Sequence, residues 1–204
     1  EKDFWRGIQL YAERHKGQVV TTNDLRLAFE DATGKNLRWF FEQWTQRAGH
    51  PKFKVTWKWD EESEMAVFSV KQTQSGEPYR APLDIEVTTP KGARAYRVVL
   101  DGAEQQVYLP VTEKPLFVSF DKDGKVLKEL DFDKKEEELL EQVARDTDIL
   151  GRIEAAKGLA KYPSTRAVAA LVKAVKEDKF YGVRREVAGL LGTIHSDEAK
   201  AALI

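Results

Sequence analysis

Residues 22–55 read TNDLRLAFEDATGKNLRWFFEQWTQRAGHPKFKV, and the reading of this stretch decides the fold. It divides into two short amphipathic helices, a stop and the start of a strand. In the second helix Leu37, Phe40, Phe41 and Trp44 fall at i, i+3, i+4 and i+7, which places a leucine and three aromatic side chains on one helical face. Gly34 ends the first helix, because a residue without Cβ closes the last turn in the left-handed conformation. Gly49-His50-Pro51 ends the second. Val55 then opens an alternating run. Phe40 and Trp44 are therefore expected to be buried where helices give way to sheet.

Toward the N-terminus the helical character continues. Phe4, Ile8 and Tyr11 share one face of an opening helix, and Lys16-Gly17 breaks it. Thr21 or Thr22 can cap the next helix, with Asp24 in its first turn favoured by the helix dipole. Leu25, Ala28, Phe29 and Ala32 carry its buried face. Three helices this short hold little core of their own, so their aromatic faces call for a partner outside the segment.

Toward the C-terminus the period changes to two. Val55, Trp57 and Trp59 alternate, as do Val67 with Ser69, Phe68 with Val70, and Leu83, Ile85 and Val87. Tyr96, Val98 and Leu100 follow, then Val107 and Leu109, then Phe117-Val118-Ser119-Phe120. Turn signals separate the runs: Asp60-Glu61-Glu62, Gln74 to Pro78, Pro90-Lys91-Gly92, Asp101-Gly102 and Asp123-Gly124. Short alternating strands at this spacing predict a small antiparallel β-sandwich of about six or seven strands. Both Asp-Gly pairs read as hairpin turns.

Near Asp133 the pattern becomes helical again, and Asp133 to Glu136 can form a capping box. An internal repeat follows. Arg152-Ile-Glu-Ala-Ala-Lys-Gly-Leu-Ala aligns with Arg184-Arg-Glu-Val-Ala-Gly-Leu-Leu-Gly at an offset of 32 residues. At the same offset Ser164 pairs with Ser196, Ala167 with Ala199, and Ala169-Ala170-Leu171 with Ala201-Ala202-Leu203. Small residues on these faces let paired helices stack closely, and the pattern resembles HEAT-like repeats with a shorter period than the usual ~40 residues.

Bulk properties narrow the function classes. Of 204 residues, 42% are hydrophobic and 33% charged, which provides a core beneath a heavily charged surface. A net charge of −1 gives no basic field to attract nucleic acid or acidic membrane. No apolar run reaches the roughly 18–20 residues that span a bilayer. The chain has no cysteine, which removes disulfides, thiolate ligands and a cysteine nucleophile while leaving the compartment open. The first residues carry neither Met nor the plan of a signal peptide, and the last fall inside a repeat, so the chain is expected to belong to a longer parent.

Candidate chemistry is sparse. His15 reads as a helix-end residue, His50 as part of the turn before Pro51, and His195 as part of the repeat turn; none lies in a metal-ligand motif. Glu61, Glu62 and Glu64 surround a turn, and Glu136 to Glu138 open a solvated helix. No G-x-S-x-G elbow or Gly-rich phosphate loop is present. Trp57 and Trp59 share one strand face and read as core.

The spacing Gly34-x-x-Leu37-x-x-Phe40-Phe41-x-x-Trp44 … Gly49-x-Pro51-x-x-x-Val55 resembles the segment joining the catalytic domain to the β-domain in aminopeptidase N-like zinc metallopeptidases. Lys71-Gln72 and Phe120-Asp121-x-Asp-Gly-x-Val-Leu resemble strands of that β-domain. The resemblance implies an α+β multidomain chain: residues 1–50 as the helical end of the catalytic domain, 51–132 as a β-sandwich, and 133–204 as a truncated HEAT-like domain. It implies a parent that uses zinc to remove N-terminal residues from peptides. The H-E-x-x-H ligands, the catalytic Glu, the transition-state Tyr and the amine-binding motif of the family precede this region. No catalytic, cofactor or metal residue is thus expected here, and Leu37, Phe40, Phe41, Trp44, Gly49 and Pro51 are matched as structural residues. The implied partners are the N-terminal catalytic domain of the same parent and the parent's peptide substrates, with no nucleic acid and no membrane. Two alternatives stay open: a relative that has lost its zinc site and acts as a scaffold, as in a large subunit of a general transcription factor, and a free-standing HEAT-like binding module.

Overall fold

The computed structural model describes residues 1–162, 164–194 and 196–201. They form two compact units, Glu1–Gly49 and His50–Ile204.

The first unit holds α1 (Lys2–His15), α2 (Thr22–Thr33), α3 (Arg38–Phe41) and a π-helical turn (Glu42–Gln46). Asp24 anchors the start of α2: its carboxylate accepts from both the main-chain N–H and the hydroxyl of Thr21, each at 2.8 Å. Gly34 takes the expected left-handed conformation (φ 68°), and its N–H bonds Glu30 O at 2.8 Å. Helices α1 and α2 approach closely at Gly7, where a Cβ would stand 2.8 Å from the Phe29 ring. The expected burial of Phe40 and Trp44 does not hold. Phe40 is 43% exposed, stacked edge-on between Trp39 and Phe41, and Trp44 is half-buried. After Phe41 the winding widens to i→i+5, which ends the 3.6 period on which the placing of Trp44 rested. Gln43 is buried instead.

The second unit opens with seven strands: β1 (Lys52–Asp60), β2 (Met65–Gln72), β3 (Ala81–Thr89), β4 (Gly92–Leu100), β5 (Glu104–Pro110), β6 (Phe117–Phe120) and β7 (Glu129–Phe132). They make a four-stranded sheet, β5-β2-β1-β7, and a three-stranded sheet, β4-β3-β6. Neighbours are antiparallel except the edge pair β1–β7, which is parallel. The alternation sends Phe53, Val55, Phe68 and Val70 inward from one sheet, and Leu83, Ile85, Val87 and Val118 inward from the other. Each such side chain contributes roughly 1.5–3 kcal/mol on full burial. Trp57 stacks on Phe68 at the margin of this core.

Turn chemistry is half as expected. The segments after Asp60 and Thr89 close true hairpins, β1–β2 and β3–β4. Asp101-Gly102 is a turn but not a hairpin, because β4 and β5 belong to different sheets. Asp123-Gly124 likewise lies between β6 and β7, in a 3-10 turn with Asp121, Asp123 and Gly124 all at positive φ. An Asp-Gly pair favours the reversal; the core alternation decides which sheet receives the next strand.

Five helices follow: α4 (Glu136–Arg145), α5 (Ile149–Leu159), α6 (Thr165–Glu177), α7 (Tyr181–Leu191) and α8 (Asp197–Ala201). Their own core includes Leu139, Ala156, Leu159, Leu171, Val183, Val187 and Leu191. The 32-residue repeat appears as repeated capping, with Ala167 N–H donating to Ser164 Oγ at 3.0 Å and Ala199 N–H to Ser196 Oγ at 3.1 Å. The expected capping box at Asp133 is absent. Lys135 occupies the cap position of α4, and Glu136 instead accepts from the Ser164 hydroxyl of the neighbouring helix. The Ala202-Leu203 half of one repeat pairing lies outside the described residues.

Candidate functional site

Sheet and helices of the second unit meet on α4, where two acids about two turns apart, Glu138 in the first turn and Asp146 at the C-cap, face strand β6. Glu138 is buried, and its carboxylate accepts from the Trp57 indole at 3.1 Å and from Val118 N–H at 3.3 Å. Burial pushes its pKa up, against the opposing pull of the Lys134 ammonium 3.8 Å away. Asp146, at the C-terminal end of α4, has a fully buried side chain. It accepts from Ser119 Oγ, Lys122 Nζ, Gln142 Nε2 and Asp148 N–H, all within 3.0 Å. Burial opposes its charge, but the Gln142 amide, the Asp148 N–H and the Lys122 ammonium outweigh it and hold the pKa below the usual carboxylate value.

The cations complement these acids. Lys122 bridges Asp146 at 3.0 Å and Glu86 at 2.7 Å, so one ammonium ties β3, the 3-10 turn and α4 together. Burial works against that charge; the two carboxylates outweigh it and raise the pKa. Lys134 is the opposite case. It donates to Val118 O and, at 2.7 Å, to Gln142 Oε1, and lies 4.8 Å from the Phe132 ring centre. Burial lowers its pKa to about 8, and the carboxylates of Glu138, Asp146 and Glu154 restore only part of the loss. Two hydrogen bonds, the ring and a nearby carboxylate thus hold the ammonium, which makes it a strut.

The repeat extends this network outward. Arg152 donates to Asp146 O at 3.0 Å and grips the Asp178 carboxylate through two bonds of 2.6 and 3.0 Å. One repeat further on, Arg184 donates to Asp178 O at 2.7 Å. The hydrogen bonds from Arg152 hold Asp178 below its usual pKa against the cost of burial. The sequence alignment had exposed the two arginines; their aspartates, six residues upstream of each, lay outside the aligned block.

Beside this junction a cavity of about 730 Å³ opens between strand β7 and helix α5. Its walls include Leu130 and Phe132 on one side and Leu150, Glu154 and Lys157 on the other.

His15 ends α1, and His50 bonds Glu129 at 2.8 Å, a partner not apparent from sequence; His195 lies outside the described residues. Among the described residues no group of three or more His, Cys, Asp or Glu is placed to hold a metal ion. No described helix is long and apolar enough to cross a membrane.

Comparison with known proteins gives this architecture relatives. Residues 136–204 match the family of HEAT repeats. Aminopeptidase N of Escherichia coli (strain K12) is 33% identical over 81 residues, which cover 40% of this chain and 9% of that protein. Puromycin-sensitive aminopeptidase of Caenorhabditis elegans is 35% identical over 60 residues, covering 29% and 6%. Transcription initiation factor TFIID subunit 2 of Drosophila melanogaster is 21% identical over 203 residues, covering 83% of this chain and 17% of that protein. The fold is that of a solved region of Legionella pneumophila aminopeptidase A, crystallised with aspartic acid: TM-score 0.78 at 15% identity, over 98% of this chain and 26% of that one. The chain spans less than a fifth of the length of each curated relative named here. Taken with the sheets, the repeats and their order, these matches make the chain similar to a C-terminal region of aminopeptidases, with HEAT repeats over residues 136–204.

Proposed function

We propose that this chain is the non-catalytic part of a zinc-dependent aminopeptidase that removes N-terminal residues from peptides. Its helical repeats brace the parent and limit which substrates reach the parent's active site. The observation that carries this reading is the junction itself. Buried Glu138 and Asp146 tie α4 to strand β6, so the repeat extends from the sandwich as a braced arm rather than a loose tail. Stacked helix pairs make concave surfaces, and a braced one can restrict entry to a cleft. The zinc and every catalytic side chain are assigned to other parts of the parent. Residues 1–50, 51–132 and 133–204 are proposed as catalytic-domain end, sandwich and repeat domain, with the parent's catalytic domain and peptide substrates as partners.

A second reading has its own support. The match to TFIID subunit 2 covers 83% of the chain, about twice the share covered by aminopeptidase N. On that reading the parent is a scaffold without peptidase activity.

The test deletes the chain from Asp133 onward in the full-length parent and compares cleavage of an aminoacyl dipeptide with that of a longer peptide. Selective acceleration on the longer peptide supports gating. An unchanged ratio in a folded, active enzyme removes the gating role. A full-length parent that binds no zinc and cleaves neither peptide favours the scaffold.

A further inference from the structure

Strand β7 is an edge strand, bonded on one side only. Glu129 N–H donates to Pro51 O at 3.0 Å, so Glu129 and Asp131 turn their main-chain groups toward β1. The intervening Leu130 and Phe132 turn theirs away. Among the described residues no hydrogen bond reaches those outward groups. The edge of the other sheet is treated differently. At β6, Glu138 accepts from Val118 N–H and Lys134 donates to Val118 O, so one side chain of α4 and one of the segment just before it fill that edge. The β7 edge is left open and faces the 730 Å³ cavity, whose far wall is α5.

We infer that this edge is a docking site for an extended peptide, which adds as a strand beside β7 and lies between it and α5. Three features select that occupant. Free main-chain donors and acceptors in strand geometry are satisfied in register by another extended main chain, the recognition mode of strand addition. The volume lies within the ~300–1,000 Å³ typical of ligand pockets. The wall charges largely cancel: Lys128 pairs with Asp121, Lys157 with Glu154, and Asp131 with Lys54. Such a wall attracts neither a phosphate nor a nucleic acid strand and suits a peptide bound mainly through its amides. Leu130, 39% exposed, and Leu150, 49% exposed, offer apolar surface to one of its side chains. This site would serve a peptidase or a scaffold equally, so its failure and that of the aminopeptidase reading are separable.

The probe is acetyl-Thr-Val-Thr-Leu-Thr-amide, added to the isotope-labelled 204-residue chain and followed by amide chemical shifts and hydrogen exchange. Saturating peptide is expected to shift Leu130 and Phe132 amides and slow their exchange. The same peptide N-methylated at alternate amides should bind weaker by about 5–10-fold per hydrogen bond lost. Leu130→Pro removes an N–H that no internal bond uses, a change tolerated at sheet edges. It should keep the melting temperature and abolish the shifts. The inference is overturned if the folded chain shows no shifts at millimolar peptide, if the N-methylated peptide binds equally, or if the shifts fall on β4 or β5. A concentration-dependent dimer that Leu130→Pro dissolves would assign the edge to a second copy and overturn it as well.

Discussion

Asp146 illustrates how a single buried charge is made tolerable. Its carboxylate would be costly to bury alone, but four donors converge on it, and the backbone leaves room for it by placing glycine at 151. A Cβ there would sit 2.1 Å from Asp146 Oδ2. Gly→Ala inside a helix ordinarily stabilises by up to ~1 kcal/mol. Gly151→Ala should reverse that sign and destabilise by about 2–4 kcal/mol, because the carboxylate must move off its donors. A denaturant melt showing stabilisation would refute this account of the site. Lys134 gives a prediction in pH. Its folded pKa of about 8 lies below the ordinary lysine value of 10.5. Below pH 8 both states carry the proton, and the full cost of burying the cation is present. Between 8 and 10.5 the folded state has released the proton while the unfolded state keeps it, so this residue's contribution to stability rises with pH. Lys122 has a raised pKa, so its stabilisation is lost only above that window. Comparing unfolding free energies of the parent chain and Lys134→Met across pH 7–10.5 should show a rising difference in favour of the lysine form. A constant difference would mean that the ammonium is not desolvated.

At the level of elements, the sequence disclosed whatever rests on local period or local capping. The alternation of Leu83, Ile85 and Val87 gave β3 its buried face, and Gly34 gave the helix stop. The equivalence of Ser164 and Ser196 became a repeated N-cap. What it withheld depends on partners distant in sequence. Strand β7 has only four residues and exists through pairing with β1, over seventy residues earlier. The π-turn has no period to announce it, so the spacing carried an α-helical face through Trp44 where that winding had already ended. The candidate junction was the least legible part. Glu138 sits in a charged run that reads as solvated helix, Asp146 carries no pattern of its own, and only the fold brings Trp57, Ser119 and Lys122 to them. The repeat itself supports two substitutions of different size. Ser164→Ala should cost about 1 kcal/mol, the ordinary worth of an N-cap. Arg152→Met should cost more, about 3–5 kcal/mol, because it leaves the buried Asp178 carboxylate without its paired cation. Equal losses in thermal melts would mean that the arginine ladder contributes no more than a cap.

Across the second unit as a whole, the question is whether sandwich and repeat behave as two bodies or one. Each has its own apolar core, and two separate cores alone would permit separate unfolding. The junction argues otherwise. Glu138 holds Trp57 of β1 and Val118 of β6, while Asp146 holds Ser119 of β6 and Lys122 of the following turn. Pulling α4 away would break the hydrogen bonds that Glu138 and Asp146 make to β1, β6 and Lys122 at once. That cost couples the two cores, and it falls on the elements that touch the network rather than on α7 or α8 further out. Hydrogen exchange of the full chain should therefore give β1, β6, α4 and α5 a common opening free energy. Glu138→Ala should lower all four together by about 3–5 kcal/mol, the range for breaking a buried ion pair from one side. Helices that open well before the strands, or a Glu138→Ala effect confined to α4, would show instead that the repeat is an appended module. An arm of that kind could not keep the fixed position that a role in substrate access requires.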